Sequence, residues 1–365
     1  MSHQENNSNI FPLLLIGALS MFFAEVSSGA SVLWFIDTWG IFVTFPLYWG
    51  HTLFFFNIAL RCRKLDFTSL YLLGVLFGLY ESWITKVIWA GYFGQSPGWG
   101  TIAGFAIAEL LVIVFFWHPI MSFIVPIFVF EILSLSANSE VPVKDKILLE
   151  HVAFFVKSRR NWLIALLITL IGAVFLSVNA GFNLIAAELT VLGSVAIIFV
   201  FYFLSKRKLS SRLSIYSLQL GKKGFTTVII YLILLYAIMF PLLLPERISS
   251  LITILLTIVF YIVIILLFYI HKPASGNTHS SFETSVDTSV LFTVKDLRRL
   301  LILLIVLILV MCILPVISAT LMIVLYLGTI FLGIILIITT SLKVIKEILE
   351  NRNSVSYTHL TLPTN

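Results

Sequence analysis

A chain of 365 residues that is 60% hydrophobic and only 11% charged, with a mean hydropathy of +1.08, has too few charges to coat a water-soluble surface. It is also too apolar and too aromatic to be a disordered chain. The net charge of +6 would suit nucleic acid in a soluble protein, but no DNA- or RNA-binding signature accompanies it. An integral membrane protein remains.

About 20 apolar residues cross a bilayer as one helix. Apolar stretches at 11–26, 38–60, 68–93, 101–135, 161–179, 183–205, 225–245, 248–270, 299–317 and 320–342 therefore predict ten spans, an all-α polytopic transmembrane helical bundle. Residues 1–10 lack the positive n-region of a signal peptide, so the first helix is expected to stay uncleaved. All Lys and Arg except Lys86 and Arg247 fall in alternate loops. The positive-inside rule makes those loops cytoplasmic, with both termini on that side of a cell (inner) membrane. The same parity makes 101–135 one long crossing, expected to bend at Pro119 and Pro126.

Residues 141–157 place Val143, Ile147, Leu148, Val152 and Phe155 at helical spacing, which predicts an amphipathic helix on the membrane surface. A similar stripe, Leu209, Leu213, Tyr216 and Leu220, predicts another at 208–220, and 273–289 reads as a polar Ser/Thr-rich loop. Residues 354–365 read as a translated sequencing-library adapter and carry no weight for the fold. The expected organisation is a polar-core four-helix unit (1–140), an interfacial linker (141–160) and a six-helix hydrophobic unit of three hairpins (161–353).

The first four helices hold Glu25, His51, Glu81, Lys86, Glu109, His118 and Glu131. A charge in the hydrocarbon costs about 2.5–3.5 kcal/mol even on lenient insertion scales, so such groups face a bundle interior and mark candidate sites. At about 1.5 Å per residue, Glu81 lies roughly 21 Å into the third helix and Glu109 about 12 Å into the fourth. Glu25, Glu81, Lys86 and Glu109 are thus expected to share one layer, with coupled titrations. His118 would lie about 26 Å into its helix, far from Glu81. Gly74, Gly78, Glu81 and Thr85 share one helix face, where small residues admit a close neighbour. His51 reads as a satisfied polar residue and Glu131 as a structural group at the inner interface.

Phe77-Gly78-Leu79-Tyr80-Glu81 and His118-Pro119-Ile120-Met121-Ser122-Phe123-Ile124-Val125-Pro126, followed by Glu131, resemble an uncharacterised group of prokaryotic multi-pass membrane proteins over the first 135 or so residues. That resemblance implies no activity. A fainter one is to CAAX-processing and bacteriocin-processing intramembrane glutamic proteases, whose first motif is E-E-x-x-x-R. Glu81 and Lys86 keep its first acid and a basic residue five on, with Ser82 in place of the second Glu. Around His118, Val114 and Ser122 stand where that family has Phe and Asn. It implies Glu81 and His118 as a hydrolytic pair.

The leading expectation is a carrier-like protein rather than an enzyme. Glu25, Glu81, Lys86 and Glu109 would handle protons, cations or a small substrate. An intramembrane hydrolase using Glu81 and His118 is the alternative, and a non-catalytic scaffold or sensor is the third reading. No Walker loop, H-E-x-x-H, G-x-G-x-x-G or Cys/His metal spacing occurs, so no cofactor or metal is expected. The expected partners are the lipid bilayer and a small-molecule, ion or lipid substrate, with no nucleic acid.

Overall fold

The apolar stretches form helices because a chain in hydrocarbon must satisfy its backbone groups within itself. The computed structural model describes residues 10–137, 142–209, 213–273 and 288–358. Ten long helices run through them. They are α1 (Ile10–Val26), α2 (Gly40–Cys62), α3 (Phe67–Ser82), α4 (Ile107–Ala137), α5 (Arg159–Asn179), α6 (Leu184–Leu209), α7 (Lys222–Leu242), α8 (Leu251–Ile270), α9 (Val294–Ile313) and α10 (Pro315–Thr358). Seven of these, among the described residues, are long and apolar enough to span a bilayer by length and composition; α1 and α3 are shorter apolar helices, and charges crowd the start of α9. The all-α multi-pass expectation holds.

Burial sorts the helices into a centre and a shell. The most apolar stretch of α4 is 89% buried, whereas those of α7 and α10 are 11% and 17% buried, so the latter present their side chains to lipid. α3 packs on α4, and α1 on α2. Around them α6 covers α1, α7 covers α2, α8 covers α3 and α10 covers α4. The α3–α4 contact is close because Gly74 and Gly78 carry no side chain. A Cβ on Gly74 would lie 2.5 Å from Pro119 Cα, and one on Gly78 would lie 2.9 Å from Val114 Cα. α4 itself is one continuous crossing, as the charge parity requires. Its hydrogen bonding widens to a π pattern over Leu110–Ile124, around Pro119, which has no N–H to give.

Three expectations are corrected. The third helix stops at Ser82 instead of continuing to 93. Ser82 Oγ donates to Leu79 O, Thr85 Oγ1 donates to the Glu81 side chain, and Lys86 takes a left-handed φ of +57°. The chain then makes one short turn, Val87–Ala90, and a two-residue hairpin of β1 (Thr101–Ile102) and β2 (Phe105–Ala106). This irregular backbone survives because Ile84, Val87, Ile88 and Trp89 are buried against protein. In consequence α4 begins at Ile107, six residues later than expected.

The connector at 142–157 is likewise not one helix but two 3₁₀ turns, Val143–Asp145 and Leu149–His151, and a short α turn, Val152–Phe155. Its apolar stripe is nevertheless buried at Ile147, Leu148, Val152 and Phe155. Glu131 pins it: Oε1 accepts from Leu148 N at 2.7 Å and Oε2 meets His151 Nδ1 at 2.7 Å, while His151 Nε2 donates to Leu65 O. A buried acid offering two acceptors competes with helix continuation for those groups. Residues 213–220 hold a single 3₁₀ turn, Ile215–Leu218, with Leu213 and Leu220 buried and Tyr216 exposed. Most of the expected polar loop, 274–287, and the tail at 359–365 lie outside the described residues; 354–358 continue α10.

Candidate functional site

The first four helices bring two polar networks to successive residues of α3. The first runs through Tyr80. Tyr48 OH donates to Glu25 Oε1 at 2.5 Å, and Ser31 Oγ donates to Glu25 Oε2 at 2.5 Å. Since the single Tyr48 proton goes to Glu25, Tyr80 OH must donate to Tyr48 Oη, 2.9 Å away. Contacts of 2.5 Å from hydroxyl to carboxylate belong to the short, charge-assisted class. Glu25 sits in the widened last turn of α1, Phe22–Val26, which aims it at α2.

The second network runs through Glu81. Its Oε1 lies 3.4 Å from His118 Nε2, and its Oε2 accepts from Thr85 Oγ1. His118 Nδ1 lies 2.8 Å from Ser122 Oγ, one turn further along α4. The Ser122 carbonyl accepts from Ser20 Oγ at 2.7 Å, and Thr52 Oγ1 donates to Ser20 Oγ. Glu81, His118 and Ser122 are all buried.

Aromatic rings join the two. The His118 ring lies 5.0 Å from that of Tyr80 and 5.9 Å from that of Tyr48. Phe77 stacks on both imidazoles, at 5.5 Å to His118 and 5.0 Å to His51. His51 Nδ1 donates to Leu47 O, because a carbonyl only accepts, which leaves Nε2 to accept the Tyr236 hydroxyl proton at 2.8 Å.

Of the four charges expected to share a layer, Glu25 and Glu81 enter these two networks, whereas Lys86 and Glu109 do not. Lys86 is fully buried but turns away from Glu81; its Nζ donates to the carbonyls of Ile84 (3.1 Å), Met239 (3.2 Å) and Leu243. A cation there neutralises the carbonyl end of α7, where the helix dipole is negative. Glu109 is held apart as well: Oε1 accepts from Gly98 N at 3.1 Å, and its buried Oε2 has no hydrogen-bond partner among the described residues. The expected separation of Glu81 and His118 is also corrected. Starting α4 at Ile107 places His118 about 17 Å along it instead of 26 Å, at about 1.5 Å per residue. Sequence reasoning missed Tyr48 and Tyr80. A mid-span tyrosine hydroxyl needs a partner in hydrocarbon, and Tyr80 adjoins Glu81 while Tyr48 precedes His51 by three.

Outside the spans, a charged cluster ties α3, α8 and α10 together. His271 Nε2 meets Asp66 Oδ1 at 3.0 Å and Nδ1 meets Glu347 Oε2 at 2.8 Å. Burial alone would raise the Asp66 carboxyl, but hydrogen bonds from His271 and Ser69 and the charges of His271 and Lys343 hold it at about 2. Burial would lower His271, yet the two acids raise it above the ordinary imidazole value.

Seven bilayer-length helices among the described residues, with a buried polar centre in the first four helices, define a multi-pass helical membrane protein. The chain belongs to a family described as an uncharacterized membrane protein family, whose model matches residues 14–351. It is similar to an uncharacterized protein of Archaeoglobus fulgidus, 41% identical over 126 residues, which cover 34% of this chain and 39% of that relative. The chain thus spans about two fifths of the length of the curated relative it matches. No solved structure matches it.

Proposed function

We infer that this protein is a carrier-like, multi-pass protein of the cell (inner) membrane that moves protons, with or without a coupled cation or small substrate, through its first four helices. The observation that carries the reading is the placement of Glu25 and Glu81 at the ends of two hydrogen-bonded networks that meet at Tyr80–Glu81. Each network joins one carboxylate to groups that both give and take a proton: Tyr48 and Tyr80 in one, His118 and Ser122 in the other. Intramembrane acids with such partners are the usual parts of proton relays. Glu109 and Lys86 take no part in this relay. In this reading residues 1–140 form the working unit, 161–353 surround it, and both termini face the cytoplasm.

The test is proton movement in proteoliposomes carrying a pH-sensitive dye. Wild-type protein should dissipate an imposed pH gradient, and Glu81→Gln and Tyr48→Phe should each abolish that flux while still folding, as shown by a cooperative thermal transition in detergent. Flux that survives both substitutions sinks the carrier reading.

The contact of Glu81 with His118 favours one second reading, an intramembrane hydrolase. Glu81 would take a proton from water as general base, with His118 oriented by Ser122. A hydrolase would cleave a membrane-embedded peptide in detergent, without any gradient, and lose this on Glu81→Gln or His118→Ala but not on Tyr48→Phe.

A further inference from the structure

A cavity of about 890 Å³ opens between α2, α3, α7 and α8, with His51 in its lining. That is near the top of the usual range for ligand pockets, about 300–1,000 Å³. Its walls are almost wholly apolar, including Phe55 and Ile58 of α2, Leu76 of α3 and Leu232 of α7. The α8 wall runs from Ile258 to Tyr269. At about 1.5 Å per residue that is a length of about 16 Å, half of a hydrocarbon core of about 30 Å, or the depth of one leaflet.

Both flanking helices are lipid-facing. Ile233 on α7 and Ile262 and Ile265 on α8 line the cavity and are exposed. In a bilayer, hydrocarbon from the surrounding leaflet has direct lateral access to such a space, and water gains nothing by filling it.

One end of the cavity is basic. Ile58 lies one turn before Arg61, whose guanidinium stacks on Phe225 at 4.3 Å, and Phe225 stacks on the lining residue Phe54 at 5.8 Å. Phe268 and Tyr269 end beside Lys64, whose Nζ donates to both of their carbonyls. α7 begins at the same end with exposed Lys222 and Lys223, and Arg63 is exposed too. The two acids of this rim that meet His271, Asp66 and Glu347, share its charge. Basic pockets between membrane helices are the usual seat of anionic lipid headgroups.

We propose that this cavity is a binding site for an anionic phospholipid, with a hydrocarbon chain laid between α7 and α8 and its phosphate held at Arg61, Arg63, Lys222 and Lys223. This goes beyond the proton-handling reading and does not depend on it. The site nonetheless abuts that network, since His51 and Tyr236 line the cavity and His51 stacks on Phe77.

Native mass spectrometry of the whole chain in detergent tests the proposal, with phosphatidylglycerol, chain-matched phosphatidylcholine and free glycerol phosphate as probes. Wild-type protein should retain one phosphatidylglycerol about tenfold more tightly than phosphatidylcholine, with a preference that weakens as salt rises. Ile262→Trp and Ile233→Trp, both at exposed lining positions, should each lower retention of both lipids about tenfold by filling the space. Lys222→Gln with Lys223→Gln should bring phosphatidylglycerol down to the phosphatidylcholine level and leave the latter unchanged. Equal retention of the two lipids by wild type, undiminished retention in both tryptophan variants, or displacement by glycerol phosphate would each overturn it. Two separate tryptophan positions keep the test readable if one variant does not fold.

Discussion

His118 Nε2 lies 3.4 Å from Glu81 Oε1, and the same ring is held at its other nitrogen by Ser122 Oγ at 2.8 Å. A ring fixed at both nitrogens keeps one orientation, so its link to Glu81 is a property of the fold. Groups in contact of this kind couple by about 0.5–3 kcal/mol in double-mutant cycles. Glu81→Gln, His118→Ala and the double variant, compared by thermal unfolding in detergent, should show coupling in that range. Additive effects would mean that the contact carries no energy.

The α3–α4 seam depends on a missing side chain. A methyl on Gly74 would sit 2.5 Å from Pro119 Cα, which is backbone and cannot swing aside. Overpacking of this kind costs about 1–3 kcal/mol. Gly74→Ala should lower the midpoint of thermal unfolding and reduce flux through displacement of Glu81 from His118. The matched control is Gly328→Ala, since a Cβ there meets nothing within 4 Å, and it should change neither.

The Asp66–His271–Glu347 cluster makes stability depend on pH with a definite sign. His271 is raised in the fold, so its contribution is complete below the ordinary imidazole pKa of 6.5 and is lost as pH rises through the higher folded value. Asp66 is lowered from 3.8 to about 2, so its contribution is present above 3.8 and is lost as pH falls through about 2. The cluster therefore holds best between about pH 4 and 6.5. His271→Gln should flatten the alkaline decline in unfolding temperature, measured from pH 5 to 9, and a decline as steep as wild type would contradict this.

Lys86 separates structure from transport. Its ammonium satisfies three carbonyls, two of them at the end of α7, and hydrogen bonds to a charged donor contribute about 1.5–3 kcal/mol in the interior. Lys86→Met should lower thermal stability by an amount of this order and leave proton flux per folded molecule unchanged. A variant of normal stability with lost flux would return Lys86 to the site.

The spans were legible because hydrocarbon imposes one rule on every residue: backbone groups must be paired within the segment, so a run of about 20 apolar residues is a helix. The order of the helices, the single long crossing through Pro119 and the packing face at Gly74 and Gly78 follow from local pattern alone. Depth along a straight helix was the step that failed. α3 ends early where Ser82 donates to the Leu79 carbonyl, Thr85 donates to the Glu81 side chain and Lys86 turns left-handed, and the hairpin at 101–106 delays α4, so positions counted from the wrong starting residues misplace His118 by about 9 Å.

By itself the sequence determined that this is a multi-pass helical membrane protein and that its exceptional charges lie in the first 135 residues. Only the tertiary structure decided which of them meet. Glu25 joins Tyr48 and Tyr80, Glu81 joins His118, and Lys86 and Glu109 go elsewhere. The reason is physical: in a bilayer, composition sets the class through solvation of each residue separately, whereas a buried charge takes whichever partner lies within about 3 Å, and that distance is fixed only when helices pack.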